Sequence, residues 1–447
     1  MTRITTICTC VLGAIVAAAM PAAAQDALVL TLPAAIERGL AEAPRLAEAR
    51  SREDAAGATV AARAALARPV VTAATGFLRT NHVDEFGVAQ PGGGTRVIFP
   101  DIPNNVHARA EVTMPVYTAG RVGELVAAAE AGRRAAAADG RSAGADIALE
   151  ITSAYYGLLT ARERVRVLER ALERSDASLE AVRARVASGV LAPNDVLSAT
   201  AQRARQNVQL IEARNDAALA EAQLGRLVGA APEQPIVLAT AADQPLTDAA
   251  DLTARPIAEL IERARSARPE RQAMAERQAS LRATAAAASS ASRPQVSVLA
   301  AVEPARPNPR FVPRVDAWNT GWDLGVNATW TVFDGGRSRA EQASALSEAD
   351  AVQHRIEDFD RIVAVELRQR LLDLATARAA LEASGEAVAA ASEARRVLGE
   401  RFLVGVATNT DVLDADVDLL DAELEQARLQ AALRMSEARL VRTVGGR

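Results

Sequence analysis

Two aspartates near the end of the chain, Asp411 and Asp414, are the first side chains whose spacing suggests a chemical purpose. Positions i and i+3 share one face of a helix, so the two carboxylates would lie together. The spacing alone favours a structural interpretation, because acidic groups stabilise a first helical turn and Asn409 or Thr410 would cap it. Asp195 holds the matching place 216 positions earlier, but no second aspartate follows it at this spacing.

No other set of residues has the spacing of a catalytic or metal site. The histidines His82, His107 and His354 are scattered over a predicted loop, strand and helix. The run Gly92–Gly94 precedes neither a Lys-Ser/Thr pair nor a helix, so it is not a phosphate loop. The sequence therefore predicts no enzyme, cofactor or metal site. A net charge of −5 with interspersed signs also offers no basic stripe for nucleic acid.

Residues 1–24 have the pattern of a secretory signal peptide. Met1–Arg3 is positively charged, Val11–Ala19 is apolar, and Ala22–Ala24 resembles a cleavage site. Cys8 and Cys10 both lie in this segment, so the exported chain is predicted to contain no disulfide. No later apolar stretch approaches the roughly 18 residues of a transmembrane helix. The sequence thus predicts a periplasmic protein, a secreted protein or an outer-membrane β-barrel.

The rest of the chain is an internal duplication. An apolar-aromatic-x-x-Gly-Arg stretch occurs twice, 216 positions apart, each time between an alternating apolar segment and a long Ala- and Arg-rich run. We interpret both copies as hinges at which a strand passes into a helix, and Ala119 in the first copy suggests that one glycine suffices there. The hinge residues are Gly120 and Arg121 in the first copy, and Gly335, Gly336 and Arg337 in the second.

Two tight turns are related by the same offset of 216 positions. A glycine directly after a helix permits the left-handed residue that ends many helices, so each turn is predicted to join two antiparallel helices. The turns are Gly189, Val190 and Leu191 in the first half, and Gly405, Val406 and Ala407 in the second.

The duplication predicts a first structural repeat over 25–228, a linker or equatorial segment over 229–255, and a second repeat over 256–447. Each repeat contains a helix, two strands, a long helix and a return helix, and the Gly-, Pro- and Asn-rich loops between strands are predicted to be exposed tips. The predicted strand pairs cover 69–116 and 294–332, the long helices 121–187 and 337–404, and the return helices 194–228 and 410–444.

The predicted strands and helices restrict the architecture. Alternation over about ten residues is typical of a membrane barrel strand and equally of a half-buried strand in a soluble sandwich. The long helices carry apolar residues every seven positions, and 67 residues of helix extend about 100 Å, so they must pack lengthwise. Four strands cannot close on themselves, and lipid does not satisfy open edges. Either several chains share one barrel, or the protein is a soluble periplasmic coiled coil with a small sheet.

The leader pattern Leu32–Leu46, the paired hinges, the paired turns and the duplication together resemble the TolC-type outer-membrane efflux proteins. The resemblance implies an α+β membrane protein that forms a homotrimer. In it, a long α-helical coiled-coil barrel in the periplasm continues into a twelve-stranded β-barrel in the outer-membrane lipid, with four strands per chain. It also implies a passive exit duct for tripartite efflux or type I secretion, coupled to an inner-membrane pump through a periplasmic adaptor protein.

The resemblance also assigns roles to the turns and to the aspartates. It implies that the six turn residues contact the adaptor, and that Asp411 and Asp414, with Asp195 at the equivalent first-half position, line the periplasmic gate. A ring of such carboxylates would attract cations and repel anions. The sequence does not indicate which cargo passes through the duct.

Overall fold

The computed structural model of the protein describes residues 27–239 and 251–446. The predicted signal peptide and part of the predicted linker lie outside the described residues. The helices are α1 (Leu32–Glu42), α2 (Pro44–Ala65), α3 (Arg121–Ala187), α4 (Pro193–Val228), α5 (Ile257–Ala267), α6 (Pro269–Ser289), α7 (Arg337–Leu403) and α8 (Asn409–Thr443). The strands are β1 (Leu28–Leu30), β2 (Val70–Arg79), β3 (Phe86–Ala89), β4 (Thr95–Phe99), β5 (Asn104–Tyr117), β6 (Ile236–Leu238), β7 (Gln295–Arg306) and β8 (Asn319–Thr329).

The helices α3 and α7 are 67 residues long each and dominate the molecule. On α3, Ile151, Leu158 and Leu179 belong to the predicted seven-residue repeat, and all three are buried. The return helix α4 packs against α3, α8 packs against α7, and α8 also packs along α3. Among the residues that the structure describes, no helix has both the length and the apolar character needed to cross a bilayer.

The shorter helices pack on the half of the long helices nearer the sheet. Proline at the start of α2 and of α6 breaks each predicted leading helix in two, because a proline ring clashes with the preceding turn. Helix α2 packs on α3, and α6 packs on both α3 and α7. A parallel pair, β1 and β6, which the sequence did not predict, joins the start of the described chain to the segment after α4.

The main sheet combines strands from both repeats. Its order is β2-β5-β7-β8, with every neighbouring pair antiparallel, so the contact between β5 and β7 joins the two halves of the chain. Because α3 follows β5 and α7 follows β8, both long helices leave the sheet in one direction.

The strand ends of the second repeat differ from those predicted. Strand β7 continues to Arg306, because its last residues pair with both β5 and β8. Strand β8 stops at Thr329, so the prediction that Trp330–Val332 continue the strand is wrong. The Trp330 indole donates a hydrogen bond to the carbonyl of Ser292 (3.1 Å), outside the strand ladder.

Candidate functional site

One face of the main sheet is apolar and lies open. The side chains of Trp322, Leu324 and Val326 on β8 are 72%, 71% and 73% exposed, and Val71 on β2 and Val112 on β5 are also exposed. An uncovered apolar surface of this extent is unfavourable in water and indicates contact with lipid or with another chain.

The opposite face of the sheet carries a network of charged side chains that joins three strands. The Arg109 guanidinium lies 2.9 Å from Glu111 on its own strand, 2.9 Å from Glu303 on β7 and 3.3 Å from Asp323 on β8. All four side chains are only partly exposed, and Arg109 is the cation that these three carboxylates share. The sheet is therefore apolar on one face and charged on the other.

Most of the loop between β7 and β8 is exposed, as predicted, but its first residues are held against the strands and the charged face. Asn308 is buried, and its amide donates to the carbonyls of Glu303 (3.2 Å) and Asn319 (3.0 Å). Arg310 donates to the carbonyl of Trp322 (2.9 Å) and pairs with Asp323. The first loop, between β2 and β5, forms the small β3-β4 hairpin instead.

The two edges of the main sheet are open within the described chain. Strand β2 pairs only with β5, and β8 pairs only with β7. Unpaired backbone groups at a sheet edge cannot find hydrogen-bond partners in lipid. A sheet with this apolar face therefore requires further strands on both sides, if that face is in a membrane.

Both hinges are built from two consecutive left-handed residues. The φ angles are 53° at Ala119 and 84° at Gly120, and 70° at Gly335 and 86° at Gly336. One glycine therefore suffices for this geometry, as predicted, although Ala119 then adopts a left-handed conformation that an L-residue disfavours. Arg121 and Arg337 are the first residues of α3 and α7.

Asp334 is a hinge residue whose role the sequence analysis missed. Its carboxylate accepts hydrogen bonds from the backbone amides of Gly336 (3.0 Å) and Ser338 (2.9 Å), which have no helical partner at the start of α7. The Ser338 hydroxyl also donates a hydrogen bond to this carboxylate and is the main reason why the pKa of Asp334 lies below its ordinary value. The two amide bonds lower the pKa further. An aspartate before a helix start is the signal that could have identified it.

The turns at the far ends of the long helices have matching geometry. Gly189 has φ 78° and Gly405 has φ 79°, and an added Cβ would meet nothing within 4 Å at either place. Glycine is needed there only for its backbone conformation, as the sequence predicts.

The side chains of the two turns divide into an outward and an inward set. Val190 and Val406 are exposed. Leu191 and Ala407 are partly buried and pack on a small core that contains Val182. Each turn therefore presents one apolar side chain to solvent and uses the next to hold the two hairpins together.

The carboxylate of Asp411 is engaged in a helix cap. Its Oδ2 accepts hydrogen bonds from the Thr408 amide (2.8 Å) and hydroxyl (2.7 Å), and its own amide donates to that hydroxyl (3.2 Å). The cap residue is thus Thr408, and the prediction of Asn409 or Thr410 is wrong. The hydrogen bond from the Thr408 hydroxyl is the main reason why the pKa of Asp411 lies below its ordinary value.

The other two predicted gate residues have different surroundings. Asp414 is exposed, one helical turn beyond Asp411. Asp195 is partly buried, and its backbone carbonyl accepts a hydrogen bond from the side-chain amide of Asn409 (3.3 Å) in the second hairpin. This bond joins the starts of the two return helices.

A buried ion pair near the second turn was also missed. Arg395 on α7 pairs with Asp416 on α8 at 2.9 Å, and the Asp416 side chain is only 3% exposed. Arg395 interrupts the apolar seven-residue repeat of α7, and that interruption is the signal that a charged partner lies opposite.

The comparisons with known proteins agree with this architecture. A family model described as outer membrane efflux protein matches residues 35–230 and 260–446. The outer-membrane channel OprN is 23% identical with a TM-score of 0.73, covering 93% of this chain and 90% of that one. CusC is 15% identical with a TM-score of 0.77 (93% and 92% covered). The outer membrane protein VceC from Vibrio cholerae is 20% identical with a TM-score of 0.74 (93% and 96% covered).

No curated protein sequence matches the chain. The two matched segments of the family model correspond to the two halves of the duplication, and each contains one hinge and one turn.

Proposed function

Because the chain belongs to the outer membrane efflux protein family, we propose that it is the outer-membrane exit duct of a tripartite efflux or type I secretion system. The family consists of transport channels of the outer membrane rather than enzymes. The duct would be passive, since an inner-membrane pump supplies the energy and a periplasmic adaptor joins the pump to the duct.

The observation that carries this proposal is the open four-stranded sheet with one apolar and one charged face. Three copies would pair β8 of one chain with β2 of the next and so close a twelve-stranded barrel without free edges. The apolar face would then contact lipid, and the charged face with Arg109 and Asp323 would line the channel. The hinges would direct the long helices into the periplasm as one continuous wall.

The turns at the periplasmic end would form the contact with the adaptor. Val190 and Val406 are exposed apolar side chains at the tips of two adjacent hairpins. Burying such side chains against a partner is favourable, and a trimer would present six of these tips in one ring. Gly189 and Gly405 would allow the tight turn that brings them forward.

The carboxylates beside the turns would form the gate. Threefold symmetry would bring Asp411 and Asp414 of three chains around one axis, with Asp195 of each chain nearby. The lowered pKa of Asp411 favours its charged form, so this carboxylate would contribute negative charge at neutral pH. Such a ring would attract cations and slow the passage of anions.

Cell fractionation and native mass spectrometry of the detergent-extracted protein test the proposed duct. We expect the protein in the outer-membrane fraction, with the mass of a trimer and with single-channel conductance in planar bilayers. A monomer released without detergent from the periplasm would contradict the proposal and indicate a soluble coiled-coil protein instead.

A further inference from the structure

Arg185, in the last turn of α3, connects the two hairpins of the chain at their tips. Its guanidinium donates hydrogen bonds to the carbonyls of Phe402 and Leu403, which are the last two residues of α7. The guanidinium carbon also lies 4.5 Å from the centre of the Phe402 ring. Carbonyls at a helix C-terminus carry partial negative charge, so this contact is a charged cap supplied by the neighbouring hairpin.

The two hairpin tips have equivalent backbones. Their turn hydrogen bonds correspond one for one at the offset of 216 positions. The corresponding bonds are Val190 N to Arg185 O (2.9 Å) and Val406 N to Arg401 O (2.9 Å), followed by Gly189 N to Val186 O (3.0 Å) and Gly405 N to Phe402 O (3.1 Å).

Arg401 is the residue equivalent to Arg185, but it lacks an equivalent partner. Its side chain is exposed and forms no hydrogen bond or ion pair with any residue that the structure describes. The carbonyls equivalent to those of Phe402 and Leu403 belong to Val186 and Ala187, at the end of α3. Within the chain, α3 packs along α8 and not along the α7 helix that carries Arg401.

The return helix α4 has an apolar stripe that the repeat explains. Three of its apolar residues are exposed, whereas the residues at the equivalent positions of α8 are buried or partly buried. The equivalent pairs are Val208 with Leu424, Ile211 with Ala427, and Leu219 with Met435. The exposed face of α4 therefore has the same character as the face that α8 packs against α3.

The long helix α7 shows the complementary half of this pattern. Its exposed Val365 and Leu372 correspond to Leu149 and Tyr156 on α3. Tyr156 is fully buried and packs on a core that includes Met435 of α8. The chain thus carries both sides of a second seam, one on α7 and one on α4, and the residues that the structure describes cover neither side.

We propose that α7 of one subunit packs against α4 of the next as α3 packs against α8 within a subunit, and that Arg401 caps the neighbouring α3. Its guanidinium would donate to the carbonyls of Val186 and Ala187 of the partner subunit. This inference rests on the trimer of the proposed function. The caps between subunits lack an aromatic ring, because Val186 replaces Phe402, so they are the weaker of the two kinds of tip contact.

Cysteine cross-linking tests the position of Arg401. We would combine Arg401→Cys with Ala187→Cys and treat the detergent-extracted protein with a short bismaleimide. The expected product is a ladder of covalent dimers and trimers on a denaturing gel. The matched control, Arg185→Cys with Leu403→Cys, joins two hairpins of one chain and should stay at the monomer mass.

Two results separate this inference from the proposed function. A trimer by native mass spectrometry that yields no cross-linked dimers or trimers at position 401 would overturn the placement of Arg401 and leave the duct intact. A monomer by native mass spectrometry would instead refute the trimer on which both proposals rest.

A second measurement tests the cap itself. We expect Arg401→Met to lower the temperature at which the trimer dissociates in detergent. The control is Arg396→Met, because Arg396 lies on the same helix and its partners Glu393 and Glu400 belong to that helix. An equal dissociation temperature for Arg401→Met and wild type would overturn the cap.

Discussion

At the scale of single residues, Asp411 and Asp414 show that equal chemistry at helical spacing does not mean equal roles. The carboxylate of Asp411 holds the first turn of α8 through Thr408, whereas Asp414 is exposed one turn later. Substituting Asp411 would therefore change both the charge at the proposed gate and the start of the helix, and only Asp414 reports on charge alone.

We expect Asp414→Asn to weaken block of the channel by multivalent cations, with little change in thermal stability. Asp411→Asn should weaken the block as well, and should also lower the melting temperature by about 2 °C through loss of the cap. Single-channel recording and thermal denaturation measure the two effects. Unchanged cation block in Asp414→Asn would remove this residue from the gate.

The left-handed hinge residues allow a test of backbone strain. Gly120→Ala should destabilise the protein by about 1 kcal/mol, because φ is 84° there and no neighbour lies within 4 Å of the new Cβ. Gly123→Ala, three residues later, also meets no neighbour but lies in a helix, so it should stabilise by about 0.5 kcal/mol. Denaturant unfolding compares the two variants, and equal effects would exclude strain at the hinge.

At the scale of the elements, the two hairpins have different side chains at equivalent packing positions. The second hairpin buries the ion pair of Arg395 and Asp416. The equivalent positions of the first hairpin hold Leu179, which is buried, and Thr200. The duplication therefore supplies a natural replacement for the pair.

Arg395→Leu alone should cost about 3 kcal/mol, because it leaves the buried carboxylate of Asp416 without its cation. Adding Asp416→Thr reproduces the first hairpin and should recover most of that loss. Denaturant midpoints of the single and double variants measure the effect. If the double variant were as unstable as the single one, the unpaired Asp416 carboxylate would not explain the stability lost in Arg395→Leu.

Arg442 joins three helices near the middle of the molecule. From α8 it lies 2.7 Å from Asp146 on α3 and 2.5 Å from Glu270 on α6. Burial alone would raise the pKa of Glu270, but the hydrogen bond from Arg442 and the nearby arginine charges hold it below 4.5. Because its pKa is lower in the folded state, Glu270 stabilises the protein at pH values above its ordinary pKa. This contribution is lost as the pH falls through the folded-state pKa.

Arg442→Met should therefore reverse the local pH dependence. It should cost about 3 kcal/mol at pH 7, since a partly buried carboxylate loses its partner. Without the arginine, the pKa of Glu270 should rise, so mild acidification to pH 5 should recover stability in the variant and not in wild type. Denaturant unfolding of both proteins at pH 7 and pH 5 measures this. An equal change in stability with pH in the variant and in wild type would contradict the role of Arg442 as the partner of Glu270.

At the scale of the whole molecule, the proposed duct predicts separate sites for assembly and for coupling. Val190→Asp with Val406→Asp should abolish efflux in cells while the trimer still forms, because charged side chains at the tips oppose apolar docking. Val29→Asp, at an exposed site far along the chain, is the matched control. Full efflux in the tip variant would exclude these side chains from the adaptor contact.

The sequence by itself determined the features that depend on neighbouring residues. Seven-residue spacing predicted the two 67-residue helices, alternation predicted the strands, and glycine predicted the left-handed turns at Gly189 and Gly405. The resemblance to the efflux family, confirmed by the family match, also rested on local motifs and their duplication. Apart from the duplication, which relates positions 216 apart, each of these signals is present in a short window of the chain, where periodicity and backbone conformation are decided.

Only the tertiary structure decided which distant residues meet. The pairing of β5 with β7, the loop that places Arg310 on Asp323, the partner of Arg395 and the reach of Arg185 to α7 all join positions far apart in sequence or across a turn. Local propensity carries no information about such contacts, because they depend on how whole elements pack. The same packing leaves one face of α4, one face of α7 and the Arg401 side chain uncovered by the residues that the structure describes, and this points beyond the single chain.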